Sequence, residues 1–537
     1  MKPTTFLLGV AACACAASAT AASFLPTFTT APAQMKTSAP GWSYTPLFTV
    51  GETLPNGYQP VGILDGIGAY ELNATTIRAF VNHELGGTSG QPYALANGTM
   101  MTGARISYFD IDKKTKGIVS AGLAYNRVID RAGNVVTGQG QIGTGFDRFC
   151  SSVLVEANSF GPGRGFADRI YLNGEETSNG TAHALDPKTG TLYAVPWLGR
   201  AAFENVALID TGIPNRVAIA IGDDTSGAPL YLYVGEKQAD GDFLARNGLV
   251  GGKLYAWKSN GGDADPRTFG GSHGDSRGGT WVELTVQDAA KAGTAGYDAQ
   301  GFADQATLTA EARAKGAFSF SRPEDVAVNP ENGARFALAS TGRDSFADGA
   351  DTWGTVYTFD VGFDAAGNPV SGGATIVYNG NTDPAHALRS PDNLTWTDAA
   401  TLLVQEDRSA DWASVIGANG NDSSIIEVGL DGSIRTIASI DRSAVPSGQI
   451  DTAPLDFGNW ENSGIVDISA LFGLSPGRYF LGDVQAHSLK LGGMVEGGQL
   501  FLLQSNVPEP ATWAMLIAGF GAVGVAARRR RTVRTAA

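Results

Sequence analysis

The strongest constraint on this chain is a recurrence of short apolar runs, each of strand length and most of them closed by Gly, Asp or Asn. They fall at Arg105 to Phe109, Leu192 to Pro196, Arg216 to Ile221, Leu230 to Val234, Gly354 to Phe359, Ser424 to Val428 and Leu500 to Leu503. Runs of that length, punctuated by residues that turn the backbone, predict strands rather than helices. Turn residues are plentiful, with 71 Gly and 24 Pro among 537 residues. Only Asp298 to Lys315, rich in Ala, reads as helix, and it is expected as an insertion. An all-β body of roughly 480 residues fits a β-propeller or a large sandwich better than an α/β enzyme. No clean repeat marks individual blades, although GKLYAW at Gly252 to Trp257 and GTVYTFD at Gly354 to Asp360 look like related outer strands.

The two ends read as targeting segments. Residues 1–22 combine Lys2, an apolar stretch from Phe6 to Ala17 and small residues at Ala19 and Ala21, the pattern of a secretory signal peptide. At the far end, Val507-Pro508-Glu509-Pro510 precedes an apolar segment, residues 511–527, and the cluster Arg528 to Arg531. The segment is just long enough for a spanning helix, and the arginines set its far end at the cytoplasmic face. These parts resemble the PEP-CTERM sorting signal, which implies that an exosortase recognises residues 506–537 and removes them. The expected product is exported, held briefly in the inner membrane, then released to the cell surface or beyond. Its body spans residues 23–505.

Processing sharpens both charge and cysteine content. Loss of Lys2 and the tail arginines lowers the basic count from 38 to 32, while the acidic count falls at most from 53 to 52. The net charge moves from −15 to about −20, which argues against nucleic acid or anionic membrane as partner and suits a holder of divalent cations. Cys13 and Cys15 leave with the leader, so Cys150 remains alone. A lone thiol outside the cytosol needs burial or a ligand role.

Acidic and amide doublets at the ends of apolar runs make the ligand role worth weighing. In order they are Asn82-His83-Glu84, Glu175-Glu176, Glu204-Asn205, Asp223-Asp224, Glu324-Asp325, Asp392-Asn393, Glu406-Asp407 and Glu461-Asn462, with Asp483 and His487 last. In a propeller, innermost strands converge on a central channel, so such groups from different blades can meet there. Oxygen donors suit calcium, and a thiolate among them recruits a softer metal such as iron. Any one doublet alone is more often a solvated turn. His183, His273 and His386 are expected at the surface, whereas His83 and His487, beside carboxylates or amides, are equally open to ligation.

In combination, these motifs resemble the PhoX-type alkaline phosphatase family. The matching pieces are Asn82-His83-Glu84, Phe149-Cys150-Ser151-Ser152 leading to Gly174-Glu175-Glu176, Phe203-Glu204-Asn205, Gly222-Asp223-Asp224, Phe320 to Asp325 and Ser390-Pro391-Asp392-Asn393-Leu394. The resemblance implies a six-bladed propeller whose channel holds iron and calcium, and hydrolysis of phosphate monoesters outside the cytoplasm. Carried over, it makes Cys150 the thiolate ligand, with Glu175, Glu204 and Glu324 as carboxylate ligands near it. Asn82, Glu84, Glu176, Asp223, Asp224 and Asp392 are further metal candidates, and Arg322 would bind the phosphate. The phenylalanine before Glu204 departs from the better-known branch, while the wide separation of Cys150 from Glu175 and the endings Trp460 to Asp467 and Asp483 to His487 resemble a longer-chain branch of the family. On this reading no serine nucleophile is required. Two other readings are a non-catalytic calcium-stabilised propeller held in an exopolysaccharide matrix and a calcium-dependent phytase- or lactonase-like hydrolase. A monomer is expected.

Overall fold

Strands whose two faces are both apolar must be covered on both sides, and that requirement sets the architecture. In the strand Phe203–Ile209, Val206 and Leu208 pack with Ile170 and Leu172 of the preceding sheet. The alternate residues Ala207 and Ile209 pack with Phe336 and Leu338 of the following one. Because successive side chains point to opposite faces, each sheet contributes to two cores. Six such apolar clusters lie between six sheets, one at each junction. The result is a six-bladed β-propeller. The computed structural model describes residues 23–408, 422–492 and 494–506. The expected signal peptide and the expected sorting tail with its spanning helix lie outside the described residues.

In chain order the innermost strands are Leu64–Asn73, Phe149–Val155, Phe203–Ile209, Pro323–Val328, Pro391–Trp396 and Trp460–Asp467. Each is followed outwards by antiparallel neighbours in four- or five-stranded sheets, except that the outermost strand of the second blade, Arg127–Ile129, pairs parallel. The innermost strands adjoin one another around a closed ring, the last lying beside the first. The segment nearest the N-terminus closes that ring. Met35–Thr37 adds the outer strand of the fifth blade, and Trp42–Thr49 adds the outer strand of the sixth. GKLYAW and GTVYTFD do belong to strands away from the channel, Lys253–Ser259 and Thr355–Phe363.

The helix is shorter than its sequence suggests. It runs Gln305–Ala314, and Asp304 caps its first turn by accepting from the Thr307 amide. The preceding stretch is held as turns, with Asp298 accepting from the amides of Gln300 and Phe302. Among the described residues no helix is long and apolar enough to cross a membrane.

His183 is not at the surface. It lies on the strand Ala182–Asp186 with 3 % of its area exposed, between the rings of Phe146 and Phe149. Burial, aided by Arg131 and Arg200, pushes its pKa down to about 3. An unfolded chain takes up that proton near the ordinary histidine value, so the stabilising contribution is complete above about pH 6.5 and is lost as pH falls towards about 3. His183→Gln should therefore flatten the acid side of a melting-temperature profile, by up to about 1.4 kcal/mol per pH unit in that window. An unchanged acid limb would count against a neutral buried imidazole.

Candidate metal and phosphate site

A single backbone device, repeated around the ring, builds the site. Every innermost strand carries one extra residue relative to its partner, a β-bulge, and in the first five blades it falls at the same place. The shifts lie between Leu64 and Ile67, Phe149 and Ser152, Phe203 and Val206, Pro323 and Val326, and Pro391 and Leu394. The residues inside them are Asp65-Gly66, Cys150-Ser151, Glu204-Asn205, Glu324-Asp325 and Asp392-Asn393. A bulge re-aims one side chain without ending the strand. The first member of each pair faces the channel end, and all five are candidate ligands linked through overlapping groups.

The second members serve neighbouring blades. Asn205 donates to Asp325, Asp325 accepts from the Leu394 amide at 2.6 Å, and Asn393 accepts from the Ser463 hydroxyl at 2.6 Å. Close packing completes the ring. At Gly222 a Cβ would fall 1.8 Å from the Glu324 carbonyl oxygen, so only glycine lets that strand approach the bulge.

A second repeat supplies the rim. The residue after the second strand donates its amide to the carbonyl of the residue before the first strand. This clasp joins Glu84 to Ile63, Glu176 to Arg148, Asp224 to Ala202, Thr341 to Arg322 and Asp407 to Ser390, at 2.8 to 3.0 Å. Ile63, Arg148, Arg322 and Ser390 all adopt positive φ, between 43° and 62°. Non-glycine residues there carry strain of about 1 kcal/mol or more. The strain recurs where the chain must turn sharply into the channel.

Three groups of ligand atoms, each mutually within 4.8 Å, run across the site. They are Asp65, Glu84 and Cys150; Cys150, Glu176 and Glu204; and Glu204, Glu324 and Asp392. Cys150 and Glu204 are shared, so the groups form one continuous chain of donors. The Cys150 thiol lies 3.2 Å from Asp65 Oδ2, to which it donates, and Gln485 donates to both Asp65 and Glu84. Burial, reinforced by neighbouring carboxylates, raises the pKa of Cys150, Glu176, Glu204 and Asp392, and that of Asp65 to about 8. Asp224 is the exception. Burial works against its ionisation, but the Arg322 guanidinium outweighs it and holds the pKa below the usual range.

Two arginines stand among these acids. Arg322 grips Asp224 with Nε and Nη2 at 2.6 and 2.9 Å, touches Glu324 at 2.7 Å and reaches Asp407 at 3.5 Å. Arg148 bridges Glu84, at 2.8 Å, and Glu176. Glu176 and Asp224 are themselves in side-chain contact, so the two guanidinium groups belong to one network.

The donor set fits a multi-cation centre. Glu204 Oε1 and Asp392 Oδ1 are buried without a hydrogen-bond partner, which leaves lone pairs for an ion. The two groups containing the thiol match a softer metal, and the all-oxygen group of Glu204, Glu324 and Asp392 matches calcium.

Of the residues nominated from sequence, Cys150, Glu84, Glu176, Glu204, Glu324, Asp392, Asp224 and Arg322 are gathered here. Three are not. The Glu175 carboxylate accepts from the amides of Asp147 and Thr181 and lines a separate cavity of about 540 Å³ with Arg131, His183 and Arg200. Asn82 is engaged on both sides, donating to the carbonyls of Cys150 and Ser151 and accepting from the Tyr171 hydroxyl. Asp223 accepts from the Ala202 amide and Gln305. Neither even-handed histidine joins the three groups: His83 meets Ser107 at 2.6 Å, and His487 meets Glu461 and Glu496. Asp65 and Arg148 were missed, because Asp65 is a lone acid before glycine and Arg148 precedes no acid. The signals that find them are position, Asp65 within a bulge and Arg148 at the clasp before one, and both need the strand register.

Comparison with known proteins agrees with the propeller fold. The structure of Pseudomonas fluorescens PhoX in complex with vanadate superposes with a TM-score of 0.60 at 16 % identity, covering 90 % of this chain and 98 % of that one. The Dos1 propeller, at a TM-score of 0.30, 7 % identity and coverage of 86 % and 95 %, is too distant to carry an argument. No curated protein sequence matches. The PEP-CTERM protein-sorting motif matches residues 506–531. The family model described as alkaline phosphatase PhoX matches residues 137–451, more than half the sequence, and the chain belongs to the PhoX alkaline phosphatase family.

Proposed function

We propose that this protein hydrolyses phosphate monoesters outside the cytoplasm at a channel-end centre holding iron and calcium. The observation that supports this reading most is the gathering of Cys150, Glu204, Glu324 and Asp392 as desolvated donors beside Arg322. Cys150, with Asp65, Glu84, Glu176 and Glu204, would hold iron, and Glu204, Glu324 and Asp392 would hold calcium. The cations, when bound, supply Lewis acidity towards the phosphoryl oxygens. The rest of the mechanism belongs to the chain. Asp224 fixes the plane of the Arg322 guanidinium, leaving Nη1, loosely held by Asp407, to bind a phosphoryl oxygen as charge develops on it. Second bulge residues lock the ring, so the donors need little reorganisation during reaction. For the chain ends, we propose that the leader directs export and that an exosortase removes the tail.

The deciding experiment pairs elemental analysis of purified protein with an assay on a chromogenic phosphate monoester. Iron- and calcium-loaded protein that is active, and loses activity on chelation, supports the reading; loaded but inactive protein would leave a stabilised binding propeller instead. Arg322→Ala should lower kcat/KM by about 10²-fold, and near wild-type turnover would remove Arg322 from the site. Cys150→Ser should lose iron while keeping calcium. Glu204→Gln should deplete both metals, whereas Glu175→Gln should retain them; equal losses from the two glutamate variants would contradict the assigned donor set.

A further inference from the structure

The sequence nominated one arginine for phosphate, but the ring contains two in equivalent positions. Arg148-Phe149-Cys150 and Arg322-Pro323-Glu324 superimpose as a pattern. In each, the arginine precedes the innermost strand with positive φ, 51° and 62°. Each offers its carbonyl to the clasp from the second strand, Glu176 to Arg148 and Thr341 to Arg322. The candidate ligand follows two residues later, first in the bulge.

The two side chains differ in what they have left to give. Arg322 is 11 % exposed, and its three guanidinium nitrogens all lie near carboxylates. Arg148 is 47 % exposed although the acids it holds are 8 % exposed. Its Nε meets the Glu176 carbonyl and carboxylate, and its Nη2 meets Glu84 and Glu176. Nη1 has no partner among the described residues. One edge of the group is thus fastened to the donor network, while the group as a whole keeps 47 % of its side-chain area exposed. An oriented, always-charged guanidinium with free N–H groups is suited to a phosphate oxygen.

We infer that Arg148 is a second substrate-binding arginine, closing on the phosphoryl group opposite Arg322. The two are coupled through the Glu176 and Asp224 carboxyl groups. Arg148, being the more exposed, meets the incoming anion at the mouth, and Arg322 holds it deeper. This inference rests on the phosphatase reading above, and its test separates the two.

The test compares holoprotein carrying Arg148→Lys or Arg148→Gln with wild type. Lysine keeps a charge near Glu84 and Glu176 but cannot fasten one edge and present another. Binding of inorganic phosphate is measured by calorimetry, KM and kcat on a chromogenic monoester by kinetics, and iron and calcium by elemental analysis. Loss of one charge-assisted contact predicts phosphate Kd and KM raised about tenfold in Arg148→Lys, with a smaller effect on kcat and unchanged metal content. The glutamine variant should be weaker still. Wild-type phosphate affinity in both variants would overturn the inference. So would weakened binding that follows metal loss and returns when metal is restored, since Arg148 would then only support the ligands. Wild-type protein that binds phosphate yet hydrolyses no ester would sink the phosphatase reading and leave Arg148 judged by calorimetry alone.

Discussion

An anionic cluster removed from water is the constraint on which the rest of this structure turns. Asp65, Glu176, Glu204, Glu324 and Asp392 converge with a thiol in a space that solvent cannot screen. Isolated ionised carboxylates in such a place would each cost several kcal/mol and would take up protons instead. Two guanidinium groups offset part of that charge. The remainder calls for cations, which makes the fold and its ions parts of one design.

The propeller tolerates this because its stability is generated elsewhere. Six apolar junctions, each filled from two neighbouring sheets, lie outside the channel and need no contribution from the acids. Ring closure by strands near the N-terminus ties the first residues of the body to the last. Rigid surroundings let strain be stored at the rim, where Arg148 and Arg322 hold a backbone conformation that side-chain-bearing residues seldom adopt. The bulges turn the same rigidity into aim, directing one residue of each pair at the channel end and the other at the next blade.

Much of the site was legible because its chemistry is unusual. A single cysteine outside the expected leader, and acids ending apolar runs, are conspicuous in a linear text. The orientation of each acid was not. Glu175 and Glu176 are indistinguishable as letters, yet Glu175 ends the strand facing the cavity of His183, and Glu176, one step on, faces the channel. Asp65 carries no local mark, since a lone aspartate before glycine is what any turn would show. Asn82 looked like a ligand because it neighbours Glu84, but its amide is committed to the carbonyls around Cys150.

By itself the sequence determined the strand-rich architecture, the C-terminal sorting motif and the kinds of donor available, because hydrophobic patterning, turn chemistry and side-chain identity are local properties. Tertiary structure alone decided which donors meet. Membership of the site depends on strand register and on one extra residue per innermost strand, and register is fixed by contacts between segments far apart in the chain. That is also why the sixfold pattern leaves no clear repeat: only the two residues at each bulge must share a geometry, and even they vary between acid and thiol.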